Sequence, residues 1–113
     1  MGKVCKERNQ KETGLTTDEL ISAVIKWGED RNLNDPKAQM NKVIEEVGEM
    51  AHEITRNKYD SDELSDAVGD TLVTIILLAH QCGKDPVECL RMAYNEIKDR
   101  KGKTENGTFV KSV

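Results

Sequence analysis

Both prolines of this 113-residue chain directly follow an aspartate, at Asp35-Pro36 and Asp85-Pro86, and each pair heads a run of helical periodicity. An aspartate at the cap accepts from first-turn N–H groups, and a proline at the first position lacks an N–H that would go unpaired anyway. The spacing predicts a helix from Asp35 to about Asn57, with Met40, Val43, Ile44, Val47, Ala51 and Ile54 as its apolar stripe. It predicts another from Asp85 to about Lys101, with Val87, Leu90, Ala93, Tyr94 and Ile97. Thr17, followed by Asp18 and Glu19, caps an earlier helix that stops between Arg31 and Asn34. Asp60, with Glu63 as a capping box, starts one that runs to Gly83, a left-handed C-terminal cap. Four helices with short connections, and no strand-period run long enough for a sheet, imply an all-α antiparallel four-helix bundle.

The helix after Asp60 is apolar nearly all round, from Leu72 to Ala79 with only Thr74 interrupting. Such a helix is buried on more than one side. In so small a chain that points to a subunit interface, and to a homodimer or dimer of dimers. The expected organisation is a polar arm over 1–14, a helical domain over 15–101, and a tail over 102–113. In the tail, Asn106-Gly107 signals a turn, and Thr108-Phe109-Val110 is expected to dock as a short extended segment. A net charge of −4 argues against nucleic acid as a partner. The apolar run is too short to span a membrane, and the polar start lacks the apolar core of a signal peptide. Three cysteines, Cys5, Cys82 and Cys89, have no zinc-type spacing; Cys82 and Cys89 fall in or beside apolar helical runs, so both are expected as buried reduced thiols in a cytoplasmic protein.

Two acidic clusters carry the chemistry: Glu45, Glu46 and Glu49, then Asp66 and Asp70. Residues three or four apart share a helix face, so each cluster can aim its carboxylates at a common point. Their mutual repulsion is relieved by a cation, and carboxylate oxygens suit Mg²⁺, Mn²⁺ or Ca²⁺. Glutamates alone on a helix more often form a solvated face. Asp70, however, lies deep in its helix beside Gly69, and aspartate and glycine are both weak helix formers there.

Glu45-Glu46-Val47-Gly48-Glu49 fits the EExxE signature of the MazG-like nucleotide pyrophosphohydrolases. This all-α superfamily also includes dimeric dUTP- and dCTP-hydrolysing enzymes. Gly69-Asp70, the run Leu72 to Ala79, Gly83 and Asp85-Pro86 resemble the segment that follows in those proteins, so the resemblance covers roughly 35–101. The family's second motif, ExxD, would place its glutamate at position 67, where this chain has Ala67; Asp66, four before Asp70, lies on the same face as a substitute. A register using Glu63 as the motif glutamate would misplace the apolar run and Gly83.

The resemblance implies Mg²⁺-dependent hydrolysis of (d)NTPs between the α and β phosphates, giving a monophosphate and pyrophosphate, with Mn²⁺ as an alternative ion. Glu46, Glu49 and Asp70 would hold metal with Asp66 assisting, and Glu45 or an unligated carboxylate would orient or deprotonate water. Lys42, Asn95, Lys98 and Arg100 would meet the phosphates, Asn95 matching an asparagine often seen near this point in related enzymes. Lys98 and Arg100, like Arg91, also suit a solvated helix C-terminus. Apart from the resemblance, Trp27, the only large aromatic of the first helix, is a candidate to stack on a base, with core or interface packing the favoured role. His52 and His80 read as structural or surface residues. Ala67 favours an alternative: a catalytically weak helical module that binds nucleotide or a protein partner. A purely structural dimerisation module is a third reading.

Overall fold

Helix starts in this chain follow from side-chain capping. In the computed structural model, which describes residues 14–112, α1 spans Thr17–Asp30, α2 Pro36–Thr55, α3 Asp62–Gln81 and α4 Pro86–Ile97. Two short strands follow, β1 at Gly102–Glu105 and β2 at Thr108–Lys111. The Asp35 carboxylate accepts from the N–H groups of Lys37 and Ala38 at 3.0 and 3.5 Å, and that of Asp85 accepts from Val87 at 2.9 Å. Pro36 and Pro86 take the first helical position, as expected. The expected arm falls almost wholly outside the described residues.

Two starts lie one residue from the expected cap. Thr16, not Thr17, caps α1, because it can pair reciprocally with Glu19: its Oγ1 accepts from Glu19 at 3.2 Å, and Glu19 Oε1 accepts from the Thr16 N–H at 2.9 Å. Thr17 would have Leu20 at the corresponding place and no such partner. Ser61, not Asp60, caps α3, its Oγ accepting from Leu64 at 3.1 Å and donating to the Lys58 carbonyl at 2.9 Å. One hydroxyl thus serves both the turn and the helix start. Past α3, Gly83 has φ +74°, the left-handed residue foreseen there.

The segment after α4 departs from expectation. The helix ends at Ile97 rather than near Lys101, and the chain enters a hairpin pairing Gly102 with Lys111 through Glu105 with Thr108. Asn106 and Gly107 both have positive φ, 52° and 79°, which matches the twist of a tight two-residue hairpin turn. Gly102 is required by close approach: a Cβ there would collide with the Val110 carbonyl and the Phe109 ring. Thr108-Phe109-Val110 therefore pairs with its own neighbouring strand, and a small sheet forms where none was expected.

The packing divides the chain into two compact units, one reaching to Gly83 and one beginning at Lys84. In the second, the apolar stripe of α4 keeps Leu90, Tyr94 and Ile97 exposed. Cys82 and Cys89, expected as buried thiols, are free and exposed. Cys82 caps the end of α3, and α4 has no buried residue to shelter Cys89.

In the first unit α3 packs extensively on α2 and less on α1. The α2–α3 pair is antiparallel. Gln39, near the start of α2, donates to the Thr74 carbonyl at 3.2 Å and accepts from Gln81 at 3.2 Å, while Ser61 Oγ lies 3.3 Å from Glu53 at the other end. Val43, Ala67 and Leu77 form the buried apolar centre among the described residues. Thr71 and Thr74 are buried with them, each hydroxyl donating to a carbonyl of its own helix, at 2.7 and 2.8 Å. Gly28 lets α1 approach: a Cβ there would lie 2.5 Å from Leu77 Cδ2.

Large apolar side chains remain uncovered. Met40, Ile44, Val47 and Ile54 on α2, and Val68, Leu72 and Ile75 on α3, are exposed at helical spacing. On α3 this stripe lies opposite Val73 and Leu77, the side toward α1. Among the described residues no helix is long and apolar enough to cross a membrane.

Leu77 is 4% exposed and sits where α3 meets Gly28 of α1. Leu77→Ala is expected to cost about 2–5 kcal/mol in urea unfolding; a loss under about 1 kcal/mol would show that this junction is not the centre of the unit.

Candidate active site

The turn between α2 and α3 folds the two acidic clusters toward each other. Asp35 and Ser61 fix where each helix begins, and the Gln39 and Ser61 contacts fix their register. As a result Glu45 and Glu49 from α2 share one cleft with Asp66 and Asp70 from α3. The cleft has a volume of about 490 Å³. Gly48 and Ala67 also line it, and their small side chains keep the space between the helices open. Ala67 is 4% exposed, so the position of the family glutamate lies at the helix contact on the cleft floor.

Glu46 lies between this cleft and the helix seam. It is half-buried, and its Oε2 is shut off from solvent with no hydrogen-bond partner. Burial raises its pKa above the ordinary glutamate value, and the charges of Glu49 and Asp70 raise it further, with Lys42 in opposition. Asp70 is raised in the same way, first by burial and then by the charges of Asp66 and Glu49. Carboxylates of both helices thus act on one another electrostatically, across the seam. Each would be more stable protonated or beside a cation.

The described residues contain no group of three or more His, Cys, Asp or Glu side chains gathered closely enough to hold an ion. The carboxylates share a cleft and a field without closing into a ligand shell. Their chemistry nevertheless fits a hard divalent cation: oxygen donors alone, two raised pKa values, and the orphaned buried oxygen of Glu46.

The remaining candidates divide by place. Lys42 stands 3.3 Å from Glu45 on α2, an exposed pair at the rim. Trp27 on α1 borders a second, apolar groove of about 380 Å³, and Asp70 lines that groove as well as the acidic cleft. Asn95, Lys98 and Arg100 belong to the second unit, where all three residues are exposed; Arg100 lies 3.5 Å from Glu96, and Arg91 3.1 Å from Glu88. His80 bonds Glu29 of α1 at 2.9 Å.

Three cleft residues were absent from the expected site. His52, Glu53 and Glu63 line its outer end. The signal was present for all three: His52 and Glu53 follow Glu49 by three and four residues and so share its face. Glu63 lies two turns before Asp70 in the same way.

A model of the MazG nucleotide pyrophosphohydrolase domain matches residues 34–98. A protein of Haemophilus phage HP1, described as an uncharacterized 18.2 kDa protein in the rep-hol intergenic region, is 38% identical over 72 residues. That match covers 61% of this chain and 43% of the phage protein, so this chain spans less than half of its relative. No solved structure matches the chain. The matched segment contains both acidic clusters and the seam between them.

The raised pKa values set a sign for pH dependence. A carboxyl whose folded pKa exceeds its unfolded value binds more protons when folded, so stability is lost as pH rises through the folded pKa. Glu46→Gln is therefore expected to raise the metal-free denaturation midpoint at neutral pH and to flatten its fall above the ordinary carboxylate range. An unchanged pH profile in urea unfolding would place Glu46 outside this shared field.

Proposed function

Because the chain belongs to the MazG nucleotide pyrophosphohydrolase family, we propose that it hydrolyses (d)NTPs between the α and β phosphates, releasing the nucleoside monophosphate and pyrophosphate. The observation that carries this reading is the cleft in which Glu45 and Glu49 face Asp66 and Asp70, with the half-buried Glu46 behind them, its Oε2 shut off from solvent.

A triphosphate is repelled by so acidic a cleft unless a cation is present. Mg²⁺, or Mn²⁺ in its place, would supply that positive charge and lower the pKa of bound water. Glu46, Glu49 and Asp70 would hold it, with Asp66 filling in for the glutamate missing at Ala67. Glu45 stands at the rim with its Oε1 toward Lys42. A carboxylate free of the ion, Glu45 first among them, would orient the attacking water and take its proton. Lys42 would exchange its carboxylate partner for a phosphate oxygen. Trp27 would supply a surface for the base.

The uncovered apolar face supports self-association. Ile44 is 60% exposed and Leu72 55%, and both stripes face the same side of the antiparallel pair. So much contiguous apolar surface is unusual on a monomer. A second copy laid across it would complete a four-helix bundle at the seam, as a homodimer or as half of a dimer of dimers. The exposed, free Cys82 and Cys89 suit the reducing cytoplasm.

Ala67 supports one other reading, a catalytically weak module that binds nucleotide or a protein partner. With alanine on the cleft floor, one family carboxylate is absent and a cation has fewer ligands. Incubation with a (d)NTP panel and Mg²⁺ separates the two. Pyrophosphate and monophosphate as products support hydrolysis, while metal-dependent nucleotide binding without turnover supports the module. Glu49→Ala and Asp70→Ala are expected to lower kcat at least about 100-fold; full activity in either would refute the site.

For assembly, light scattering at micromolar concentration is expected to give a multiple of the chain mass. Leu72→Lys is expected to shift it toward the monomer, and a wild-type monomer would contradict the proposal.

A further inference from the structure

The hairpin after α4 is left bare within its own unit. Every residue of β1 and β2 is exposed, Phe109 at 50% and Val110 at 44%. The helix of that unit, α4, packs against neither strand. A two-stranded hairpin is marginal in water unless a further strand or a helix supports it. Thr108-Phe109-Val110 nevertheless joins three residues of high strand preference.

The ladder shows which main-chain groups remain unused. The Ser112 N–H donates to the Lys101 carbonyl at 2.7 Å, so those two are a hydrogen-bonded pair that extends the register of the hairpin. Bonded and non-bonded pairs alternate along an antiparallel ladder. Lys103 with Val110 and Glu105 with Thr108 are therefore bonded pairs, and the N–H and C=O groups of Gly102, Thr104, Phe109 and Lys111 turn outward. None of these outward groups has a hydrogen-bond partner among the described residues.

The two edges differ in what a second copy would meet there. On β1, the antiparallel register that uses Gly102 and Thr104 sets Lys103 opposite Lys103 of the other copy, and like charges directly opposite are destabilising. Lysine is a common guard on an exposed edge for that reason. Sliding the strands until Lys103 meets Glu105 brings Gly102 against Asn106 of the turn, where φ is +52° and the ladder ends. On β2, the corresponding register sets Phe109 opposite Lys111, Val110 opposite Val110, and Thr108 opposite Ser112. A ring then faces an ammonium, an apolar residue faces its own copy, and a hydroxyl faces a hydroxyl. Phe109 and Lys111 also exchange their unused main-chain bonds with the other copy.

We infer that β2 is a self-association edge, on which two copies of this chain add strand to strand, antiparallel about a twofold axis at Val110, to make one continuous sheet in the order β1-β2-β2-β1. Main-chain bonds give such strand addition its affinity, and the facing side chains give it register. The same patch serves both copies, as a twofold contact requires. The contact uses no residue of the apolar stripes on α2 and α3 and none of the acidic cleft. It therefore stands or falls apart from the hydrolase reading.

The test uses the full chain with Cys5→Ser, Cys82→Ser and Cys89→Ser, so that introduced thiols are the only ones. Facing residues of a non-bonded antiparallel pair have Cα atoms about 4.5 Å apart, within reach of a disulfide. Under air oxidation at micromolar concentration, Val110→Cys is expected to cross-link two chains about a hundredfold faster than Thr108→Cys or Ser112→Cys alone, because facing thiols have a millimolar effective concentration. An equimolar mixture of Thr108→Cys and Ser112→Cys chains should recover the fast rate, which fixes the register. Lys111→Pro removes an outward N–H and leaves the hairpin's own ladder intact. Added to Val110→Cys, it is expected to slow cross-linking at least about tenfold. The rate advantage of Val110→Cys should persist in Leu72→Lys.

Val110→Cys that cross-links no faster than Thr108→Cys overturns the inference, as does an unchanged rate with Lys111→Pro. Loss of the advantage in Leu72→Lys makes the hairpin contact a consequence of the helix face and overturns it too. Faster cross-linking through Lys103→Cys assigns the contact to β1. When Cys5 is kept, a disulfide from it to Val110→Cys within one chain assigns the edge to residues 1–13. Either of these results also overturns the inference. Should Lys111→Pro disrupt the hairpin, the cysteine series decides, since it leaves the main chain intact.

Discussion

The antiparallel seam between α2 and α3 is the constraint on which the rest of the first unit depends. Gln39 ties the start of α2 to Thr74 and Gln81, and Ser61 ties the start of α3 to the region of Glu53. Between those ties, Val43 and Ala67 are buried at the contact. A slip of one residue would turn each helix by about 100° and carry Glu49 away from Asp70. Polar pairs at both ends oppose such a slip because Gln39 is buried, and a buried amide without its partners is costly.

The seam gives the helix pair two unlike sides. One carries the acidic cleft and, on α3, the contacts with α1. The other carries Met40, Ile44, Val47, Leu72 and Ile75, uncovered. Only three apolar residues among those described are buried, so the hydrophobic contribution within one chain is modest. A unit with so thin a centre still holds carboxylates close enough for burial and like charge to raise Glu46 and Asp70. Stability and chemistry therefore pull in opposite directions at this seam. Covering the apolar side and binding a cation on the acidic side would relieve both.

Much of this was legible because caps and periodicity are local. Asp35-Pro36 and Asp85-Pro86 begin helices where expected, and Gly83 takes the left-handed conformation that a C-terminal cap needs. Local rules also erred locally. Thr16 displaced Thr17 because a reciprocal Glu19 was within reach, and Ser61 displaced Asp60 because its hydroxyl also serves the preceding turn. The hairpin was half read. Asn106-Gly107 announced the turn, but Gly102-Lys103-Thr104-Glu105 has little strand character of its own and becomes a strand by pairing across that turn.

The sequence by itself determined the helices, the membership of each acidic cluster and the apolar stripes, since all three follow from spacing along one helix. Only the tertiary structure decided which stripes meet. It turned Glu46 partly inward while Glu45 and Lys42 stayed at the rim, placed Ala67 on the cleft floor, and added His52, Glu53 and Glu63 to its walls. It also brought Trp27 beside Asp70, two residues more than forty positions apart in the chain. Such proximity depends on how α1 and α2 settle on α3, where Gly28 admits Leu77 and Gln39 reaches Thr74. No pattern within a single helix encodes those contacts.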